Sequence, residues 1–156
     1  MNVNLGLKES SRTKVLALLD ALLSDEYLLY TKTRNFHWNV TGPQFNDLHK
    51  FFEAQYGTLD GFVDDVAERS RALGGRAQGS MKEFLSAARL EESRGRSPRA
   101  DAMLSELLRD HEKLVRWLRA DVDAAAKLGD QGTADFLTGL LEEHEKMSWM
   151  LRSFLS

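Results

Sequence analysis

Residues 34–53 read RNFHWNVTGPQFNDLHKFFE. Two of the chain's four histidines, His37 and His49, stand on either side of the Gly42-Pro43 pair. Upstream of that pair, Val15, Leu18, Leu19, Leu22, Leu23 and Leu29 recur at spacings of three and four, which is the helical period. Ser10 or Ser11 can cap that helix, predicted over about Ser11–Asn39. VTGP ends it, because Gly and Pro both resist helix continuation. Downstream, Leu48, Phe51, Phe52, Tyr56, Leu59, Phe62, Val63 and Val66 carry the apolar stripe of a second helix, predicted over about Phe45–Leu73. The quoted stretch is therefore a helix end, a break and a helix start.

The same reading extends to the rest of the chain. Gly74-Gly75 stops the second helix. SMKE, Ser80–Glu83, fits a capping box, so a short helix is expected to about Ala88. RGRSP reads as a loop. Ser97 is the expected cap of a third long helix, with Pro98 in its first turn, running to about Leu128. Gly129 ends that helix, and Asp130 or Thr133 caps a fourth that runs nearly to the last residue. Only two prolines interrupt 156 residues, and no segment alternates like a strand. The expected fold is all-α: a four-helix bundle with one long crossover that carries a short extra helix. The whole of 1–156 reads as a single domain with a short N-terminal tail, about 1–10.

Composition narrows the chemistry. The absence of cysteine excludes disulfides, thiolate metal sites and cysteine nucleophiles, leaving His and carboxylates as metal ligands. A net charge of −3 gives no global attraction to nucleic acid. No signal peptide and no membrane-spanning apolar run is read, so the expected location is cytoplasmic, with no membrane partner. No phosphate-binding loop, G-x-S-x-G or nucleotide fingerprint is present.

The second helix holds the candidate site. With His49 set at about 0° and 100° per residue, Glu53 falls near 40°, Asp64 near 60° and Glu68 near 100°. Four donors suited to iron thus share about a quarter of the helix surface. His49 and Asp64 are separated by roughly 22 Å along the axis, at 1.5 Å per residue. One ion cannot bind both pairs in one chain. A two-fold axis across an antiparallel pair of these helices would bring His49 and Glu53 of one subunit to Asp64 and Glu68 of its mate. The midpoint falls near Thr58 and Leu59, where Gly57 and Gly61 permit close approach. His37, close to the same turn, can join the half-site. A lone i,i+4 carboxylate pair is usually a solvated face; four donors on one stripe make the shared site the better reading. His111 and His144 stand in charged company and are expected to be solvated or salt-bridged. Neither has Glu three residues before it, so an intra-bundle di-iron centre is not expected. Trp117 and Trp149 are expected to pack.

KTRNFHWNVTGPQFNDLHKFFE, DDVAERSRALGG and GTADFLTGLLEEHEKMSWMLRSFL, taken together and in this order, resemble the Dps family, the mini-ferritins named as DNA-binding proteins from starved cells. The resemblance covers essentially the whole chain. It implies a ferritin-like fold and a homo-oligomeric shell of twelve subunits. It also implies ferroxidase activity, with Fe2+ oxidised to Fe3+ by a small oxidant (H2O2 or O2, peroxide expected) and stored inside. Carried over, His37, His49 and Glu53 would come from one subunit and Asp64 and Glu68 from its partner, with Trp38 adjacent to the site. Asp130 and Asp135 fall in the segment resembling the three-fold pore. Two departures stand out. Glu53 replaces the family's usual aspartate, which displaces the carboxylate by a methylene. The tail before Ser10 offers only Lys8, offset by Glu9, and no tail is expected after the last helix. The alternative reading, a DNA-binding protein with a secondary metal site, is therefore the weaker one.

Overall fold

The computed structural model describes residues 3–93, 95 and 98–156. Five helices follow one another: α1 (Glu9–Asn39), α2 (Phe45–Ala72), α3 (Met81–Ala87), α4 (Ala100–Lys127) and α5 (Gln131–Leu155). Among the described residues there is no strand, and no helix is long and apolar enough to cross a membrane. Helices α1 and α2 form one hairpin and α4 and α5 another. The crossover between the hairpins carries α3, which packs on α1. This is the all-α four-helix bundle expected above, with one long crossover carrying a short extra helix.

Two helix starts differ from expectation. Helix α1 begins at Glu9, with Lys8 as its extended N-cap and no side-chain cap bond, so Ser10 and Ser11 lie inside the first turn. Helix α4 begins at Ala100 after an extended Arg99. Pro98 therefore precedes the cap rather than sitting in the first turn, and Ser97 lies outside the described residues. The other signals hold. Ser80 and Glu83 form both halves of the capping box at α3. Asp130, not Thr133, caps α5 and accepts from the Thr133 backbone N–H at 3.0 Å.

The core is apolar along all four long helices, with Leu19, Leu29, Leu48, Phe52, Leu59, Leu107, Leu114 and Leu151 all inaccessible to solvent. Removing such side chains from water stabilises by about 1.5–3 kcal/mol each. Buried ion pairs then tie elements together. Lys32 of α1 meets Asp110 at 2.6 Å and Glu106 at 3.0 Å on α4. Arg89, after α3, meets Asp25 at 2.7 Å and Asp121 at 3.1 Å and lies 4.6 Å from the Trp117 ring. Burial pushes the Asp25 and Asp121 carboxyls up, although Arg89 pulls both back. The crossover is thus anchored to α1 and α4 by one guanidinium.

Of the expectation for His111 and His144, solvation is corrected, while His144 does meet a carboxylate, that of Glu26, at 2.8 Å. Both have zero exposure and bond to each other inside the bundle. Trp149 also departs from expectation: it is 62 % exposed.

Candidate metal centre

The turn between α1 and α2 brings the two histidines together. Val40 closes α1 by donating its N–H to the Phe36 carbonyl at 2.9 Å. Gly42 then takes φ +113°, a region that favours glycine, and the chain reverses into α2. His37, in the last turn of α1, faces His49, in the second turn of α2. The rings stack at 3.8 Å between centroids with 19° between planes.

The bonds between them are reciprocal. His37 Nδ1 donates to the His49 carbonyl at 2.7 Å, and His49 Nδ1 donates to the His37 carbonyl at 2.9 Å. A carbonyl only accepts, so both Nδ1 atoms carry the proton. In the neutral imidazole this leaves the lone pair on Nε2, which is the form a metal ion requires. Tyr56 stands edge-on to His37 with centroids 5.2 Å apart, and Phe45 stacks on His49, also at 5.2 Å. These rings restrict imidazole motion. Arg34 lies 5.3 Å from both the Tyr56 and Trp38 rings. Trp38 itself is 64 % exposed beside the histidine pair.

The carboxylates are placed as the helical spacing requires. Glu53, Asp64 and Glu68 are all exposed on α2, and none has an ion-pair partner among the described residues. Among those residues no three His, Asp or Glu side chains gather where they could hold a metal ion. The chain thus brings together His37 and His49, one turn from Glu53, and leaves Asp64 and Glu68 several turns away. Between the two sets, Gly57 and Gly61 face open space, where an added Cβ would meet nothing within 4 Å.

The far half of α2 is held firmly. Arg69 donates to Asp130 at 3.1 Å and to the Thr133 hydroxyl at 3.0 Å, which joins the end of α2 to the start of α5. Asp130 is consequently buried, at 4 % exposure, with both oxygens engaged. Asp135 is exposed.

The sequence reading missed the packing of Tyr56 on His37 and Phe45 on His49, and of Arg34 over the Tyr56 and Trp38 rings. It also missed the buried trio Glu26, His111 and His144. A signal for the trio was present. Glu26 stands four after Leu22 and three before Leu29, and His111 four after Leu107 and three before Leu114. His144 stands four after Leu140 and three before Met147. Each is a polar residue in an apolar stripe.

Comparison with known proteins agrees with the fold. The ferritin-like domain family matches residues 16–156. An uncharacterized low temperature-induced protein of Nostoc sp. is 50% identical over 154 residues, covering 98% of this chain and 86% of that protein. DNA protection during starvation protein 2 of Bacillus anthracis is 36% identical over 143 residues, 92% of this chain and 97% of that one. Among solved structures, the DPS protein of Vibrio cholerae O1 superposes with a TM-score of 0.93 at 31% identity, covering 100% of this chain and 98% of that one. Its description places it in a broad superfamily of ferritin-like diiron-carboxylate proteins. With its bundle, its crossover and these relatives along nearly its whole length, the chain belongs to the Dps family of ferritin-like proteins.

Proposed function

We propose that this protein oxidises iron(II) at sites shared between two subunits and stores the iron(III) inside a hollow homo-oligomer. In this reading each site takes His37, His49 and Glu53 from one subunit and Asp64 and Glu68 from its partner. The observation that carries it is the reciprocal His37–His49 lock, which occupies both Nδ1 atoms and leaves Nε2 of each neutral imidazole as the nitrogen available to a metal ion. The unpaired carboxylates farther along the same helix support the second half, since two-fold pairing about Thr58 and Leu59 would complete two equivalent sites. The donor chemistry fits iron: imidazole with hard anionic carboxylates, and no sulfur. Such carboxylates favour iron(III) over iron(II), so binding itself promotes electron loss.

Hydrogen peroxide is the proposed oxidant. Two iron(II) ions each give one electron, the O–O bond breaks, and the two oxygens leave as hydroxide. Both reactants of hydroxyl-radical chemistry are consumed together. The DNA protection in the name of the Bacillus anthracis relative is compatible with this, because DNA is spared without being touched.

The test uses two variants. His49→Ala and Asp64→Ala are each expected to lose fast iron oxidation, followed by absorbance after peroxide addition, while the oligomer keeps its size. Mixed oligomers should regain part of the activity. A dimer of one of each assembles one site lacking both ligands and one intact site. No recovery in oligomers shown to contain mixed dimers sinks the shared site.

A further inference from the structure

Glu26, His144 and His111 form a chain across the bundle interior that the metal chemistry above does not use. The Glu26 Oε1 lies 2.8 Å from His144 Nε2, and His144 Nδ1 lies 2.9 Å from His111 Nδ1. All three side chains have zero exposure. The two ends, Glu26 Oε2 and His111 Nε2, have no hydrogen-bond partner. Native interiors pair such groups, so two orphans at the ends of one chain call for a reason.

We infer that the Glu26–His144–His111 chain is a buried site for one titrating proton, and that this proton sets the pH at which the bundle is most stable. The hydrogen-bond pattern can be written two ways. Without the proton, His144 Nε2–H donates to the Glu26 carboxylate, His111 Nδ1–H donates to His144 Nδ1, and His111 Nε2 is bare. A proton added at His111 Nε2 shifts each bond by one step. His144 Nδ1–H then donates to His111 Nδ1, and the Glu26–His144 bridge carries the added charge. Both hydrogen bonds survive, and the chain passes from one negative charge to neutral. A second proton is different. It places N–H groups on both Nδ1 atoms, breaks the bond between α4 and α5, and leaves a net positive charge in the core.

Among the described residues, no Lys, Arg or further carboxylate forms an ion pair with Glu26, His144 or His111. From α2 the chain meets Phe62, whose ring lies 5.6 Å from that of His144. On α1, Asp25 is engaged by Arg89 and Lys32 by Asp110 and Glu106. On α4, Asp110 is paired with Lys32 and Lys113, and Glu112 with Arg152. On α5, Glu143 pairs with Lys146 and Glu145 with Arg119. Burial first, and then the charge of His144, hold His111 well below the ordinary imidazole range, so the second proton is refused.

The consequence for stability is a maximum near the ordinary imidazole value, about pH 6.5. Below it, the unfolded chain holds two protons on these histidines and the folded chain one. Stability therefore falls as pH falls. Above it, the unfolded chain holds none and the folded chain one, so stability falls as pH rises until the chain gives up its proton. Each limb changes the folding constant by up to about tenfold per pH unit.

The test is urea denaturation of the intact oligomer between pH 5 and 8 (about, spanning the imidazole range). Glu26→Gln keeps a hydrogen-bond partner for His144 but cannot hold the proton, and is expected to lose the alkaline limb. His111→Asn keeps a group at the Nδ1 position and is expected to lose the acid limb. Profiles parallel to wild type in both variants overturn the proposal. If neither variant folds, neutron diffraction of wild type near neutral pH decides. Deuterium on His111 Nε2 supports the proton site, and a bare Nε2 overturns it.

Discussion

The imidazoles of His37 and His49 each spend one nitrogen on the other's backbone, and that exchange defines what the site can bind. Their common placement near one turn was legible in residues 34–53. The reciprocal lock was not, because it depends on a three-dimensional meeting of two helix ends across Gly42. His111 and His144 show the opposite failure. Their charged neighbours suggested solvent or a salt bridge; Glu112, Glu143 and Glu145 do pair toward the surface, but Asp110 is buried against Lys32 and both histidines continue the Leu107–Leu114 and Leu140–Met147 stripes. Rotation about the helix outweighs proximity in sequence. Glu53 offers a prediction at this scale. It is exposed and unpaired, so Glu53→Asp should leave folding stability within about 0.5 kcal/mol. As a ligand, however, its carboxylate would retreat by one methylene. Anaerobic iron(II) titration by calorimetry should then show an affinity change of several-fold. An unchanged isotherm would remove Glu53 from the ligand set.

Helices are placed by their ends, and here some ends were readable and others not. Ser80 with Glu83 and Asp130 with Thr133 use side-chain oxygens that announce themselves in the sequence. Lys8 and Arg99 cap by extended backbone alone, which leaves no residue signature. The crossover was legible as a long connection. Its anchoring by Arg89 on Asp25 and Asp121 was not, since the partners lie 64 and 32 residues away. Asp130 does more than cap, because it also receives Arg69 and so fixes the far half of α2, where Asp64 and Glu68 stand. Losing an N-cap costs about 0.5–2 kcal/mol. The Arg69 side chain is 26% exposed, so its ion pair adds little beyond that. Asp130→Ala is therefore expected to lower the urea midpoint at unchanged slope, and Asp130→Asn, which still accepts from Thr133, to lower it much less. Equal losses in the two variants, at matched protein concentration, would show that the ion pair and not the cap holds this corner.

At the scale of the whole molecule, the question is how charge governs what reaches the protein. The segment before α1 carries one lysine, Lys8, and its Val3 side chain presses on Gly74 at the end of α2, where φ is +79°. Arg12 donates to the Leu73 carbonyl at 3.0 Å beside it. With so few cations to neutralise phosphates, and a net charge of −3, retardation of duplex DNA is expected to be weak at physiological salt and neutral pH. Strong retardation there would reveal a basic surface elsewhere.

Entry of iron(II) is the converse case, because an acidic passage attracts cations and concentrates them. Of the two aspartates at the start of α5, Asp130 is occupied by the cap and Arg69, with its carboxylate buried. Asp135 lies one turn on, exposed, and is the one whose charge is available to a passing ion. Three copies around a three-fold axis would sum to a ring of three negative charges. Asp135→Asn keeps the size and removes that ring. Since the side chain caps nothing, the melting temperature should stay close to wild type. Uptake of iron(II) at low iron and low salt should slow, and the gap should close as salt screens the wild-type ring. The measurement is stopped-flow uptake in an intact oligomer across a salt series. Identical kinetics at low salt would place the entry route elsewhere. A gap that persists unchanged at high salt would mean that the residue acts through contact rather than through its field.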